Sequence, residues 1–206
     1  MNRLKCKNKT QKDMVNSMKI NEVTMVRGAA GTGKTYVALS QALKMLQQGD
    51  YKKLIIAKSV TQLPGEEVGF LPGTIEEKMH QSMISYYKNM EKILGSPEAV
   101  TTLIEQGKLE ILPLAFIRGY NIDDAIVIID EAQNLNYQVI KTILTRIGEG
   151  SRYVFMGDVE QSDIKDSGYD EIINKMTEVR GVEIIDFTIE DIVRNEIITR
   201  MLKSGL

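Results

Sequence analysis

The stretch MVRGAAGTGKTYVAL occupies residues 25–39. It contains the pattern G-x-x-x-x-G-K-[S/T], which begins at Gly28 and ends at Thr35. A short apolar run, residues 23–26, precedes the pattern, and apolar residues spaced for one face of a helix follow it. Strand, glycine-rich loop and helix in this order are the context of a phosphate-binding P-loop. The sequence therefore predicts that the phosphates of a nucleotide bind here.

The residues of this loop have separate tasks in the prediction. Glycines leave room for backbone N–H groups to face a phosphate, and the N-terminus of the following helix adds partial positive charge. Lys34 can reach the β- and γ-phosphates and so assist catalysis, and the Thr35 hydroxyl can ligate Mg²⁺. A flexible glycine-rich turn is the alternative, but spacing, composition and context all oppose it. The residues expected to hold the nucleotide are Gly28, Ala29, Ala30, Gly31, Thr32, Gly33, Lys34 and Thr35.

Composition limits the classes of protein to which the chain can belong. Its 206 residues suit one domain, and 43% hydrophobic with 26% charged residues is ordinary for a soluble globular protein. One cysteine, Cys6, and one histidine, His80, argue against a disulfide and against a zinc centre. No apolar run approaches the length of a membrane span and no secretory signal opens the chain. We therefore expect a cytoplasmic protein with no membrane partner.

The N-terminal segment is strongly basic, although the net charge of the chain is only −2. Such a segment is either a solvated tail or a contact for nucleic acid, and the pattern favours the solvated tail. We therefore divide the chain into a basic arm, residues 1–19, and one domain, residues 20–206. The cations of the arm, which stand against Asp13 alone, are Arg3, Lys5, Lys7, Lys9, Lys12 and Lys19.

The rest of the chain alternates short apolar runs with helical patterns. Thr74 and Glu77 predict a capping box for a helix that ends near Leu94, and Ser96-Pro97 predicts the start of another helix. Further strands are predicted at residues 54–57, 109–112, 125–129, 152–156 and 182–187, and further helices near residues 137–147 and 169–179. This alternation predicts an α/β fold with a mainly parallel sheet covered by helices on both faces. Ligands bind at the carboxyl ends of the strands in such sheets.

The stretch AIVIIDEAQ places two carboxylates at the end of a buried strand. Asp130 is positioned to hold Mg²⁺ through water, and Glu131 can orient and activate a water against the γ-phosphate. Two adjacent carboxylates are costly without a cation, and Mg²⁺ supplies one. Acidic caps at a strand-to-helix turn are the alternative, which the upstream P-loop makes weaker.

A second strand end carries the pattern G-D-x-x-Q, from Gly157 to Gln161. Gln161 could sense the γ-phosphate or position the attacking water. A loop with a capping aspartate is the alternative, because four residues make a weak pattern.

The order of these patterns resembles that of motifs I, II and III in superfamily-one helicases. More closely, the chain resembles the PhoH family of phosphate-starvation-inducible PhoH-like ATPases from about Lys9 onward. The resemblance rests on GEEVGFLPGTIEEK, LEILPLAFIRGYNIDDAIVIIDEAQN, LTRIGEGSRYVFMGDVEQSD and DFTIEDIVRNEI. It implies a single RecA-like core, ATP hydrolysis with Mg²⁺, ring-like homo-oligomers such as hexamers, and a link to RNA or DNA.

The resemblance also assigns residues outside the phosphate site. Gln11 resembles the upstream glutamine that reads the edge of adenine, although one polar residue in a basic arm explains it equally well. Arg118 stands where superfamily-one helicases touch the strand of nucleic acid. Lys58 is a second candidate for that contact, in a Lys-Ser pair where the family usually has Arg-Pro. Asn195 stands where the family commonly has His.

A single core would leave one face of the γ-phosphate open to water, and a neighbouring subunit could cover it with an arginine in trans. Arg118 and Arg194 each follow a strand and so are expected near the active face. Arg194 is the preferred candidate, because Arg118 stands where superfamily-one helicases touch the strand of nucleic acid. Arg146 ends a helix that returns antiparallel, so we expect it at the opposite face. A surface ion pair with nearby acidic residues is the alternative for Arg194.

Three functional classes fit these features. The preferred one is a Mg²⁺-dependent, helicase-like ATPase that moves on or remodels single-stranded RNA or DNA. The second is a regulatory ATPase, in which the nucleotide only switches assembly or partner binding. The third is a deoxynucleoside kinase, which fits less well because thymidine kinases carry a cysteine zinc site and lack the G-D-x-x-Q strand.

Overall fold

The computed structural model of the chain describes residues 1–58, 75–117 and 121–193. Its helices are α1 (Lys9–Ile20), α2 (Lys34–Gln48), α3 (Ile75–Leu94), α4 (Pro97–Glu105), α5 (Leu114–Ile117), α6 (Tyr137–Leu144) and α7 (Tyr169–Met176). Its strands are β1 (Val23–Gly28), β2 (Lys53–Lys58), β3 (Leu109–Pro113), β4 (Ala125–Ile129), β5 (Arg152–Gly157) and β6 (Val182–Phe187). Short 3₁₀ turns follow β4, β5 and β6, at Ala132–Asn134, Val159–Gln161 and Ile189–Asp191.

The six strands form one sheet in the order β3-β2-β4-β5-β1-β6, and each neighbouring pair is parallel. Strand β4 is buried at every position. Full burial is expected for a parallel strand that helices cover on both faces, and it explains why these strands read as continuous apolar runs. The predicted fold, a single α/β P-loop core with a parallel sheet flanked by helices, is confirmed.

The sheet divides the hydrophobic core into two clusters, because successive strand residues point to opposite faces. Val26 of β1 packs in the cluster that α1, α2, α3 and α4 cover. The preceding residue, Met25, packs in the cluster that α5, α6 and α7 cover. Among the helices of the described ranges, none is both long enough and apolar enough to span a bilayer.

The expectation of a solvated N-terminal tail is wrong for Lys9–Ile20, which forms α1 and packs against α2, β1 and β6. Met14 and Met18, one helical turn apart, are almost completely buried. The Ser17 and Thr24 hydroxyls lie 2.8 Å apart and join the helix to β1. The basic side chains of the segment stay exposed, so the arm is anchored while its charge faces water. The division of the chain at residue 19 stays a prediction.

The helix ends differ from the sequence prediction in two places. Helices α6 and α7 end at Leu144 and Met176, three residues before the predicted ends. The N–H groups of Arg146 and Val179 bond to carbonyls three residues back rather than four, which closes each helix early. The start of α4 is as predicted, with the Ser96 side chain accepting the Ala99 N–H. The predicted capping residue Thr74 lies outside the described residues.

Candidate active site

The loop from β1 to α2 has the backbone that a phosphate site requires. Gly28, Gly31 and Gly33 have positive φ angles of 133°, 86° and 85°, a region in which other residues are strained. A side chain would also clash at Gly28, because a Cβ there would lie 2.0 Å from the Phe187 carbonyl oxygen. Gly33 is the N-cap of α2, so the N-terminus of a 15-residue helix faces the loop. Its partial positive charge and the N–H groups of its first turn suit an anion.

The Lys34 ammonium lies within the same loop. Its Nζ donates to the carbonyl oxygens of Gly28 at 2.6 Å and Ala29 at 2.9 Å. The Thr32 hydroxyl closes the loop by donating to the Ala29 carbonyl at 3.0 Å. The cation is therefore held at the centre of the loop, within reach of any phosphate that the loop N–H groups bind.

Asp130 follows β4 and meets Thr35 across the edge of the sheet, because β4 and β1 both flank β5. Thr35 Oγ1 donates to Asp130 Oδ2 at 2.9 Å, and the Glu131 N–H donates to Oδ1 at 2.9 Å. Hydroxyl and carboxylate oxygens are the ligands that Mg²⁺ prefers, with phosphates completing its shell. The two predicted metal ligands are thus brought together, and their donor atoms fit Mg²⁺.

Tyr86 of α3 donates to the same carboxylate, a contact that the sequence analysis missed. Its Oη lies 2.6 Å from Asp130 Oδ2, and the residue is only 3% exposed. Burial, followed by the negative charge of Asp130, raises the pKa of Tyr86 well above its ordinary value. Lys58, at the end of β2, places its Nζ 5.4 Å from the centre of the Tyr86 ring. No local pattern marks Tyr86, since it lies 44 residues before its partner.

Glu131 adopts a different conformation from its neighbour Asp130. Its φ angle is 55°, which is uncommon for a residue other than glycine, and its side chain is exposed. Gln133 Nε2 donates to Glu131 Oε2 at 2.7 Å, and Gln133 Oε1 accepts the Asp158 N–H at 3.1 Å. The buried glutamine of D-E-A-Q therefore ties Glu131 to the loop after β5. The motif itself carried this signal, but the sequence analysis gave Gln133 no role.

A cavity of about 420 Å³ joins these groups at the carboxyl ends of β1, β4 and β5. Gln161 lies in the 3₁₀ turn after β5 and lines it too. The predicted site residues that line the cavity are Ala30, Gly31, Gly33, Lys34, Thr35, Lys58, Asp130, Glu131 and Gln161.

Gln11 lies behind the P-loop and is not among the residues that line this cavity. It is 3% exposed, and its Nε2 donates to the Thr32 carbonyl at 2.9 Å. Its Oε1 accepts the Lys7 N–H at 2.8 Å. Both ends of the amide are thus engaged within the chain, where they link the basic arm to the P-loop. Recognition of adenine by Gln11 stays a prediction.

Of the three arginines considered as a finger in trans, the structure describes Arg146. Arg118 and Arg194 lie outside the described residues. The chain just before Arg194 touches the P-loop, because the Val193 N–H donates to the Gly31 carbonyl at 3.1 Å. The Arg146 carbonyl accepts the Tyr153 hydroxyl at 3.2 Å, near the amino end of β5. Arg146 is therefore at the edge opposite the cavity, as predicted.

Similar sequences include PhoH-like proteins of several bacteria. The family model that matches is PhoH, described as PhoH-like protein, and it covers residues 3–204. A PhoH-like protein of Bacillus subtilis (strain 168) is 35% identical over 204 residues, which are 98% of this chain and 63% of that protein. A PhoH-like protein of Mycobacterium tuberculosis (strain ATCC 25618 / H37Rv) is 33% identical over 195 residues, which are 93% of this chain and 55% of that protein. This chain thus spans less than two thirds of the length of either relative.

Two helicases are among the solved structures that match this chain. The Hef helicase domain of Pyrococcus furiosus matches with a TM-score of 0.45 and 15% identity, over 85% of this chain and 37% of that chain. The Pif1 helicase from Candida albicans matches with a TM-score of 0.44 and 14% identity, over 99% of this chain and 44% of that chain. Likeness at this level supports no inference about activity.

Proposed function

This chain belongs to the PhoH-like protein family, and from that premise we propose that it is an ATPase, which binds ATP with Mg²⁺ and hydrolyses it. The family and the loop geometry identify a P-loop NTPase-type protein. The observation that carries the finer proposal is that Lys34, Thr35, Asp130 and Glu131 line one cavity at the carboxyl edge of the sheet. An ammonium, two oxygen groups for a metal site and an exposed carboxylate are the groups that hydrolysis of a nucleoside triphosphate needs.

Binding would use the loop and its two flanking elements. The loop N–H groups and the N-terminus of α2 would hold the phosphates, with Lys34 exchanging the Gly28 and Ala29 carbonyls for phosphate oxygens. Thr35 and Asp130 would hold Mg²⁺. The bound metal neutralises charge that develops on the β- and γ-phosphates.

Glu131 is the better base of the two adjacent carboxylates. Asp130 is buried and accepts hydrogen bonds on both oxygens, from Thr35 and Tyr86 on Oδ2 and from a backbone N–H on Oδ1. The side chain of Glu131 is exposed at the cavity, with Gln133 fixing one of its oxygens. We assign to Glu131 the proton from the attacking water, and to Gln161 the orientation of that water.

The experiment follows the γ-phosphate of labelled ATP in the presence of Mg²⁺ and a deoxynucleoside. We expect the label in inorganic phosphate, with turnover abolished when Mg²⁺ is chelated. Label on the deoxynucleoside would establish a kinase and contradict the proposal. Turnover that no single strand, duplex or RNA changes, at one stated salt concentration, would favour a regulatory ATPase.

We extend the proposal to single-stranded RNA or DNA as the polymer that couples to turnover, in a cytoplasmic protein. The support is charge on a fixed surface, because the cations of the basic arm are exposed while α1 is packed on the core. Lys58 adds a cation at the rim of the cavity. Such an arrangement suits a polyanion better than a freely moving tail does, since less conformational freedom is given up on binding. Arg118 remains a proposed contact of the same polymer.

Neutralising the arm tests this extension. A variant in which Lys5, Lys9 and Lys12 are all changed to Gln should bind single strands more weakly, and its binding should depend less on salt. For every phosphate that the arm no longer neutralises, the slope of log K against log salt should fall by about 0.7. A matched control changes Lys44, Lys108 and Lys141, which are exposed elsewhere, to Gln. An equal slope in the arm variant and the control would contradict a role for the arm.

A further inference from the structure

We propose that Tyr86 is a positioning residue for the magnesium site, because its hydroxyl holds the Asp130 carboxylate in the orientation that binds the metal. The inference rests on the proposed nucleotide function and deepens it. Neither the P-loop pattern nor the D-E-A-Q pattern includes this residue.

Asp130 accepts three hydrogen bonds from described residues. One of them comes from Tyr86, which is not itself expected to hold the metal. Thr35 Oγ1 and Tyr86 Oη both donate to Oδ2, at 2.9 Å and 2.6 Å. Thr35 is itself expected to ligate Mg²⁺ through the same hydroxyl oxygen. Tyr86 is then the side-chain donor that would orient the carboxylate without contacting the metal. A phenol bonded to a carboxylate forms a charge-assisted hydrogen bond, which is stronger than one between neutral groups.

The position of the phenol is fixed by packing around the ring. Tyr86 belongs to the core cluster that α1, α2, α3 and α4 cover, together with Met83 and Met90 of its own helix. The Lys58 ammonium lies over the ring from the end of β2. The hydroxyl therefore reaches Asp130 from a 20-residue helix that is packed against α2 and α4, not from a mobile surface chain.

Removal of this hydroxyl should affect the metal more than the nucleotide. A carboxylate released from an outer partner can turn away from the metal, and removal of such partners typically lowers metal affinity by about 10- to 100-fold. The phosphate groups would be held by the loop and by Lys34, whose Nζ donates to the loop carbonyls of Gly28 and Ala29. We therefore predict that the variant binds nucleotide more weakly than wild type in Mg²⁺, and as tightly as wild type without Mg²⁺.

The test compares Tyr86→Phe with wild type and with Tyr87→Phe, which removes a hydroxyl from the next residue of the same helix. The measurement is the Kd of a fluorescent, non-hydrolysable ATP analogue in excess Mg²⁺ and in EDTA. In Tyr86→Phe we expect the EDTA value of wild type, and a reduction of about tenfold or more in the affinity gained on adding Mg²⁺. The Mg²⁺ concentration for half-maximal ATP turnover should rise by the same factor, and excess Mg²⁺ should restore the maximal rate.

The possible results distinguish a positioning role of Tyr86 from the Mg²⁺-dependent ATPase activity on which it rests. Wild-type protein that gains no affinity from Mg²⁺ and releases no phosphate would overturn both. A wild-type gain that Tyr86→Phe retains in full would overturn the positioning role alone. Weaker binding by the same factor in Mg²⁺ and in EDTA would mark a structural role and would also overturn it.

Discussion

At the residue scale, Lys34 bonds to the backbone of the P-loop and is not part of either core cluster. Its Nζ bonds two carbonyls of a partly exposed loop. Lys34→Ala should therefore leave thermal stability nearly unchanged. Nucleotide affinity should fall by about 2 kcal/mol or more, the cost of removing one partner of a close charge pair, which is a factor of about 30 in Kd.

The measurement is the Kd for ATP with Mg²⁺, beside the unfolding temperature. Lys44→Ala removes an exposed lysine of the same helix and is the matched control. Wild-type affinity in Lys34→Ala would show that the loop does not bind phosphate.

Asp130 and Glu131 show how adjacent residues of one charge come to have separate tasks. The positive φ of Glu131 turns the chain at the strand end. Asp130 then lies under Thr35 and Tyr86, while Glu131 stands exposed beside Gln133. Backbone strain in a non-glycine residue persists only where the surroundings impose it, and it concentrates at functional sites. The uncommon conformation of Glu131 thus accords with the base assigned to it.

At the scale of elements, Tyr169 of α7 fastens the two strands that carry the P-loop and the G-D-x-x-Q turn. Its fully buried hydroxyl accepts the Val26 N–H at 3.1 Å. The same oxygen lies 2.9 Å from the Val26 carbonyl and 3.1 Å from the Phe155 carbonyl, so it can donate to either. The Tyr169 ring also packs on Gly157, where a Cβ would lie 2.8 Å from it. Helix α7 thereby fixes the spacing of β1 and β5 just before their loops.

Tyr169→Phe should lower the free energy of unfolding by about 1–3 kcal/mol, because it removes a buried hydroxyl that hydrogen-bonds backbone groups of both strands. Denaturant unfolding measures the change. Tyr137→Phe is the control, since its hydroxyl accepts a long, exposed hydrogen bond of 3.4 Å from Lys175. Removing that hydroxyl should change the free energy of unfolding by no more than about 0.5 kcal/mol. Equal stabilities of the two variants would show that the Tyr169 hydroxyl does not fasten the strands.

Elements with a strong local pattern were predictable from the sequence, and contacts between distant elements were not. Strand β4 was predicted with its observed bounds because full burial leaves an unbroken apolar run. Helix α1 was missed because its two buried methionines lie among lysines, so charge dominated the pattern. The P-loop and the Asp-Glu pair follow from short motifs. Tyr86 joins the site only through the packing of α3, which no local pattern records.

At the scale of the whole molecule, we propose that the site is completed by a neighbouring copy. The cavity is open, and its lining among the described residues includes no arginine. Arg194 remains the proposed finger in trans within a ring-like homo-oligomer. Its predecessor Val193 bonds the P-loop of its own chain, so an arginine acting in cis is the competing arrangement.

Mixing two inactive variants decides between them. Arg194→Ala should spare ATP binding but lower turnover by about 10³-fold or more, the effect of removing an arginine finger. Lys34→Ala should lose its own site but still offer Arg194 to a neighbour. Exchange of subunits should then restore phosphate release at junctions that hold one intact part from each. Mixed assemblies that stay inactive would reject Arg194 as a finger in trans.

We propose that this cavity hydrolyses ATP with Glu131 as the base. The most direct measurement identifies the nucleotide held by Glu131→Gln after incubation with ATP and Mg²⁺, beside wild type and the exposed control Glu149→Gln. Glutamine keeps the shape and the contact with Gln133 but cannot accept a proton, so hydrolysis should slow by on the order of 10²-fold or more. We expect intact ATP on Glu131→Gln and ADP on the other two proteins. ADP on all three, formed at the wild-type rate, would show that Glu131 is not the base.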